Sequence, residues 1–396
     1  MKIYHTEIAN TGKGLSGGEV CMMALVKYLV KKKYKNVILT TTIGKETYEN
    51  SGLKEDGKYI EYRTIEFTYD EAKRHTFFIW IRSLIRAIKS VRAINFLNDD
   101  IMICHSDFFP DYITAHFCKK KNPKIKIYYW YHMLAPSIFY GYEGEFTRKV
   151  QFPKLNVIFY QFNQMLSRFF IDERDTIITV NKYYERILKK IFSNNKTYCL
   201  RRFGGSRGTS SLKTKKEYDA IWVGRFHPQK GIFQFLDIVS KIALKLKNVR
   251  VAVIGGGDDK IKKKFFSEII KKHLSDNIIY IGPVVETKKY LNYLKSSKVF
   301  LMTSTYEGFG LVNLDVMRQH LPVVAYDLPA FESIKKAIIT VPILRNDMFS
   351  HRVLELLEDN KYYKRQSDKS YAESLKFSWD KMGSEILNLI KGVNYV

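Results

Sequence analysis

The sequence predicts an α/β protein of two consecutive domains, each built on a parallel sheet with helices on its faces. Three observations lead there. The chain has 396 residues, 45% of them hydrophobic, and chains well beyond roughly 250–300 residues divide into two cores. Short runs that are apolar almost without a break alternate with amphipathic helical stretches, as they do where strands are covered on both faces. Between the two series lies RRFGGSRGTSSLKTKKE, residues 201–217, rich in Gly, Ser and Lys and without apolar period. It reads as a linker.

Taken in order, the first strand lies in the opening MKIYHTEIAN, and GEVCMMALVKYLVKK at 18–32 carries a helical apolar stripe. Strands follow at 37–42 (VILTTT), 100–106 (DIMICHS), 124–132 (KIKIYYWYH) and 175–181 (DTIITVN). These fill a first domain over 1–205, with 206–217 as linker. The second domain, 218–376, holds strands at 218–225 (YDAIWVGR), 249–255 (VRVAVIG), 277–282 (NIIYIG), 298–304 (KVFLMTS) and 321–327 (LPVVAYD). Strand and helix alternate throughout, so both sheets are expected to be parallel. Such sheets bind ligands beyond the carboxyl ends of their strands, which makes a cleft between the domains the expected site.

Composition narrows the partners. Lys and Arg number 66 against 40 Asp and Glu, a net charge of +26 with a pI near 9.6. Such a field favours nucleic acid, acidic lipid head groups or phosphorylated small molecules. Cys21, Cys104, Cys118 and Cys199 are scattered, with no C-x-x-C pair and no histidine at zinc spacing, which predicts a reducing compartment and no structural metal. The opening residues turn polar too soon for a leader, and no apolar run reaches the roughly 18 residues of a membrane span. A cytoplasmic chain that does not span the membrane is therefore expected.

Four loops after strands carry candidate chemistry. IANTGKGLSGGEV places Gly12, Gly14 and Gly17 in a G-x-G-x-x-G pattern, which suits a backbone approaching a diphosphate at a helix start. The acid that a dinucleotide fold wants at the end of its second strand is missing, since VILTTT ends in threonines and the next acid is Glu46. A dehydrogenase loses ground accordingly. WVGRFHPQKG, 222–231, sets Arg225 and Lys230 on one loop, and two fixed cations can neutralise a departing diphosphate. STYEGFGLVNLDVM puts Glu307 in a glycine-rich turn before a helix that carries Asp315; a carboxylate there can accept hydrogen bonds from sugar hydroxyls, and Asp315 from a second hydroxyl-bearing group. His132 ends the aromatic YYWYHMLAP run, and His105 sits similarly after the strand before it.

In this order these segments resemble the family 4 retaining glycosyltransferases of glycosyltransferases group 1, with the GT-B fold of two Rossmann-like domains facing an interdomain cleft. SGGEV at 16–20 looks like the family's first-domain glycine loop and YYWYHML like its histidine strand. DTIITVNKYYERIL is similar to its next strand and helix, VGRFHPQKG to its donor-phosphate motif, and STYEGFGLVNLDVM with LPVVAYD to its acid-bearing signature. FSWDKMGSEILNLI, 377–390, looks like the closing helix that returns to the first domain, so that 377–396 would complete it.

The resemblance implies roles. Arg225 and Lys230 would bind the donor diphosphate, and Glu307 the hydroxyls of the donor sugar. Asp315 would hold the ribose, and the amides of Gly308, Phe309, Gly310 and Leu311 would face the phosphates. His132 would stand by the reacting centre, with Gly17 and Gly18 leaving room beside the diphosphate. Two residues depart from the pattern: Asp315 stands where glutamate is usual, and His320 where glycine is usual. A nucleotide sugar is the implied donor, used without a cofactor and without a metal.

For the acceptor, KRHTFFIWIRSLIRAIKSVRAINFL at 73–97 sets Phe77, Trp80, Ile81, Leu84, Ile88 and Val91 beside Arg82, Arg86 and Lys89. A basic amphipathic helix of this kind fits an anionic membrane surface. A glycan or lipid-linked acceptor at the inner face of the membrane is the resulting expectation. Two alternatives stay open: a basic nucleic-acid-binding protein, although no helix-turn-helix or RNA-recognition pattern is present, and a nucleotide-sugar epimerase of the same fold.

Overall fold

The computed structural model describes residues 1–9, 15–67, 76–92, 94–150, 152, 154–211 and 215–393, the side chains of 76, 77, 79, 80 and 90 excepted. The chain forms two compact units. The first comprises Met1–Ala135, Leu155–Phe203 and Trp379–Val396, and the second Pro136–Lys154 and Gly204–Ser378.

The first unit holds β1 (Lys2–Glu7), β2 (Lys35–Thr41), β3 (Ile60–Ile65), β4 (Ile101–Cys104), β5 (Lys126–Tyr131), β6 (Thr176–Thr179) and β7 (Lys196–Cys199). They form one seven-stranded sheet in the order β3-β2-β1-β4-β5-β6-β7, with every neighbouring pair parallel. The second unit holds β8 (Tyr218–Val223), β9 (Val251–Ile254), β10 (Ile278–Gly282), β11 (Ser297–Met302), β12 (Val323–Tyr326) and β13 (Ile339–Val341). Their order is β10-β9-β8-β11-β12-β13, again parallel throughout. Strand order reverses direction at β1/β4 in one sheet and at β8/β11 in the other. These reversals leave a crevice at the strand ends, where open α/β sheets take their ligands.

The central strands are the apolar runs visible in the sequence, because both of their faces are covered. Trp222 on β8 packs on Phe226 and Phe235, each ring centroid 5.9 Å away, and all three are buried. Burying such a side chain contributes about 1.5–3 kcal/mol. The strands not foreseen from the sequence lie at the sheet edges. β3 exposes Arg63 and Thr64, β7 is half-buried at best, and β13 has three residues. Such elements lack the continuous apolar run that marks a central strand.

The helix Trp379–Lys391 packs with the first unit, against Gly17–Lys31. Gly383 permits this approach, since a Cβ there would lie 2.4 Å from Cγ of Tyr28. The buried Glu385 fastens the same helix by accepting from the N–H groups of Arg201 (2.8 Å) and Arg202 (3.1 Å) and from the Tyr198 hydroxyl (2.9 Å). Residues Pro136–Lys154 fall inside the sequence-expected first domain, yet they cluster with the second unit. There Phe146 stacks on Tyr306 at 5.5 Å. The expected linker is also partly tied down. Arg207 N–H donates to Asp315 (2.7 Å), Ser210 N–H to Gln319 Oε1 (2.7 Å), and Gln319 Nε2 to Gly208 O (2.8 Å). Among the described residues no helix is long and apolar enough to cross a membrane.

Candidate active site

In the second unit the loops after β8 and β11, neighbours at the strand-order reversal, are knitted together by their backbones. Gly231 has φ +65°, and a Cβ on it would lie 1.9 Å from Thr303 O. Only glycine allows that approach. The Thr303 hydroxyl lies 3.0 Å from the carbonyl oxygens of both Lys230 and Gly231 and accepts from the Trp222 indole N–H at 3.0 Å. Thr305 N–H donates to Gln229 O (2.9 Å), and Gln229 Nε2 to Tyr306 O (2.9 Å).

This framework brings two of the expected residues into contact across 77 positions of sequence: Lys230 Nζ lies 2.5 Å from Glu307 Oε1. Glu307 is 7% exposed, and Lys230 is half-buried. Arg225, on the same loop, is exposed. Between these cations His227 is pushed down to about 4, first by desolvation and then by Arg225, Lys230 and Lys154. Its neutral Nδ1 accepts from Gln229 N–H at 3.2 Å.

Further along, Gly310 has φ +77°, with the Nδ2 of Asn313 and the Cε1 of Phe331 each 2.9 Å from where a Cβ would sit. The turn of Gly308, Phe309, Gly310 and Leu311 leads into the helix Val312–Arg318. Asn313 is fully buried, and neither its Nδ2 nor its Oδ1 has a partner. Asp315, 4% exposed, accepts from Arg207 N–H and, at 3.3 Å, from the Tyr290 hydroxyl, while the Arg207 Nε stands 3.5 Å away. Burial raises its carboxyl, and Arg207 opposes the rise. His320, where the family pattern has glycine, adopts φ 60° and stacks on Tyr371 at 3.8 Å.

The first unit assembles the remaining candidates. Gly17 and Gly18 open the helix Gly17–Lys31 in a capping box, in which Ser16 Oγ accepts from Gly18 N–H (3.3 Å) and the Glu19 carboxylate from Ser16 N–H (2.5 Å). A Cβ on Gly18 would meet His132 Cδ2 at 3.4 Å, an ordinary van der Waals contact, so this helix start lies directly beside the imidazole. His132 stacks on Trp130 at 4.8 Å, its Nε2 is closed off and unpartnered, and desolvation pushes it down to about 4. His105 is paired instead with His5, Nε2 to Nδ1 at 2.9 Å, and is pushed down by burial. Gly12 and Gly14 lie outside the described residues, as do the side chains of Phe77 and Trp80.

Sequence reasoning missed several participants. Gln229 and Thr303 hold the loops, and Arg207 and Tyr290 occupy Asp315. Asp111 anchors the chain leaving β1 by accepting from Ile8 N–H (2.6 Å) and Ala9 N–H (3.2 Å). Burial pushes Asp111 up to about 6 and raises Glu7 well above its ordinary range. Only the closeness of Gln229 to Lys230 could have flagged one of them.

Comparison with known proteins finds similar chains. Residues 209–373 match the family described as glycosyl transferases group 1. The amylovoran biosynthesis glycosyltransferase AmsD of Erwinia amylovora is 24% identical over 226 residues, 54% of this chain and 62% of that protein. A phosphatidyl-myo-inositol mannosyltransferase of Mycobacterium tuberculosis is 23% identical over 183 residues, 44% of this chain and 47% of that protein. The chain thus spans less than two thirds of either curated relative. The pneumococcal O-GlcNAc transferase GtfA, solved with UDP and GlcNAc, superposes with a TM-score of 0.74 at 12% identity over 99% of both chains, a likeness of fold. Residues 209–373 are thus similar to the glycosyl transferases group 1 family, in a chain with the GT-B fold.

Proposed function

We propose that this chain is a retaining, metal-independent glycosyltransferase of the family 4 kind, which moves a sugar, a hexose in the first instance, from a nucleotide donor to a glycan or lipid-linked acceptor. The observation that carries the reading is the Lys230–Glu307 contact, built at the β8/β11 reversal inside the segment that matches the family. Arg225 and Lys230 neutralise the diphosphate as the bond from the sugar C1 to the phosphate oxygen breaks. Glu307 accepts hydrogen bonds from the sugar hydroxyls, with Lys230 fixing its orientation. The acceptor oxygen bonds to C1 on the face the diphosphate leaves, and its proton passes to the departing phosphate oxygen. The amides of Gly308 to Leu311 face the phosphates. His132, neutral, positions the acceptor, and Gly17 and Gly18 leave room beside the diphosphate.

Asp315 holds the ribose, which requires the Arg207 side chain to yield its contact with the carboxylate while the Arg207 N–H keeps its own. The solved GtfA complex contains UDP, which makes uridine nucleotides the first donors to try. Peripheral contact with an anionic membrane at the cytoplasmic face fits the charge of +26 and the relative named for phosphatidyl-myo-inositol.

Transfer from a panel of UDP-, GDP- and ADP-sugars, measured for wild type, Glu307→Gln and Arg225→Ala, tests the reading. Each variant is expected to lose about 100-fold or more in rate while keeping its fold. Wild-type rates in both would sink the assignment.

A further inference from the structure

The helix Leu155–Ser167 in the first unit is built inside out. An ordinary surface helix turns its apolar stripe to the core and its polar face to water. Here the core-facing side carries polar Asn163, Gln164 and Ser167 beside buried Val157 and Tyr160. Asn163, fully enclosed, donates to Asp107 O (2.6 Å) and accepts from Phe109 N–H (2.8 Å). Gln164 bonds Met133 O and Ala135 N–H, the Tyr160 hydroxyl bonds Met133 O, and Ser167 bonds the Tyr131 hydroxyl. The opposite side carries Leu155 at 84% exposure, Ile158 at 41%, Phe162 at 51% and Met165 at 50%, and Phe169 at 77% just past the helix end. Their spacing of three and four residues puts all five on one face.

We infer that this face is a docking surface for an anionic lipid bilayer, into whose head-group region the five apolar side chains insert. Charge selects this occupant. Exposed Lys154 directly precedes the helix in the chain and exposed Arg168 directly follows it, and residues 146–171 hold no Asp or Glu. The helix Phe109–Lys121 packs against both Leu155–Ser167 and Thr76–Arg92, and the latter adds exposed Phe78 and Ile85 with exposed Arg82, Lys89 and Arg92. An apolar face flanked by cations is the pattern of a helix lying in the membrane interface.

A second copy fits less well. A helix of this length offers a stripe roughly 20 Å by 10 Å, far below the roughly 800 Å² per partner of a stable interface, and it would bring like charges together. The stripe also runs for two heptads, short of the three or four that a coiled coil sustains.

The inference rests on the membrane part of the proposed function and not on its transfer chemistry. The test is flotation of the full chain with phosphatidylcholine vesicles, with and without about 30% phosphatidylglycerol. Wild type is expected to float with the anionic vesicles. The double variant Phe162→Gln/Phe169→Gln should lose at least about tenfold in bound fraction with its unfolding midpoint unchanged. Undiminished flotation of this variant overturns the assignment. If Arg82→Ala/Lys89→Ala abolishes binding while Phe162→Gln/Phe169→Gln leaves it intact, the membrane reading survives and this face is discarded. A concentration-dependent dimer that the double variant abolishes would hand the face to a second copy. Failure of wild type to float with either vesicle removes the membrane from both readings, leaving transfer to the Glu307 and Arg225 variants.

Discussion

Lys230 and Glu307 illustrate how little of an ionic contact's value is stability. Glu307 has left water, and the pair's mutual attraction roughly offsets that desolvation. What the contact gives is a carboxylate held at a fixed place beside a cation. His132 is held differently, by stacking on Trp130. Its imidazole, at about 4 in the fold against an ordinary value of about 6.5, stays neutral at physiological pH. The folded value lies below the unfolded one, so this group's contribution to stability is present above pH ~6.5 and lost as pH falls toward ~4. Asp107 and Asp111, pushed up to about 6 by burial, act in the opposite sense, with contributions lost as pH rises through that value. Because these slopes offset one another, the clean measurement is an NMR titration of the His132 ring. It should show no protonation above about pH 5, and an inflection near the ordinary value would show that the ring is solvated.

At the scale of elements, the site depends on backbone contact between two loops. Gly231→Ala forces a Cβ onto the Thr303 carbonyl in a left-handed backbone, and we expect it to cost about 3 kcal/mol or more in urea unfolding. A cost under about 1 kcal/mol would mean that the loops do not meet as described. The sequence shows β8, β9, β11 and β12 as apolar runs because both faces of each strand are covered, and the edge strand β10 because it is apolar though only partly buried; it hides β3 and β13 because they alternate or stop short. It also shows the order of Arg225, Lys230, Glu307 and Asp315. The pairing of Lys230 with Glu307, and of Asp315 with Arg207 and Tyr290, is hidden because each is made across a long stretch of chain. The helix Leu155–Ser167 draws no reading from the sequence, and the hydrogen bonds of Asn163 and Gln164 together with the exposure of Leu155, Phe162 and Met165 show that its apolar stripe faces outward.

For the whole molecule, the two parallel sheets, the family match over 209–373 and the charge of +26 are what support the proposed reading of an enzyme acting on a nucleotide sugar. The central claim is that the loops after β8 and β11 hold a nucleotide diphosphate. It is tested most directly by thermal unfolding of wild type and Arg225→Ala with UDP, GDP, ADP and their sugar conjugates. Ligand at about 100 times its Kd should stabilise the fold by about 2.7 kcal/mol. The account predicts that one nucleotide series raises the midpoint of wild type and that Arg225→Ala abolishes the shift. No shift with any nucleotide, alongside salt-sensitive retention on nucleic acid, would contradict it.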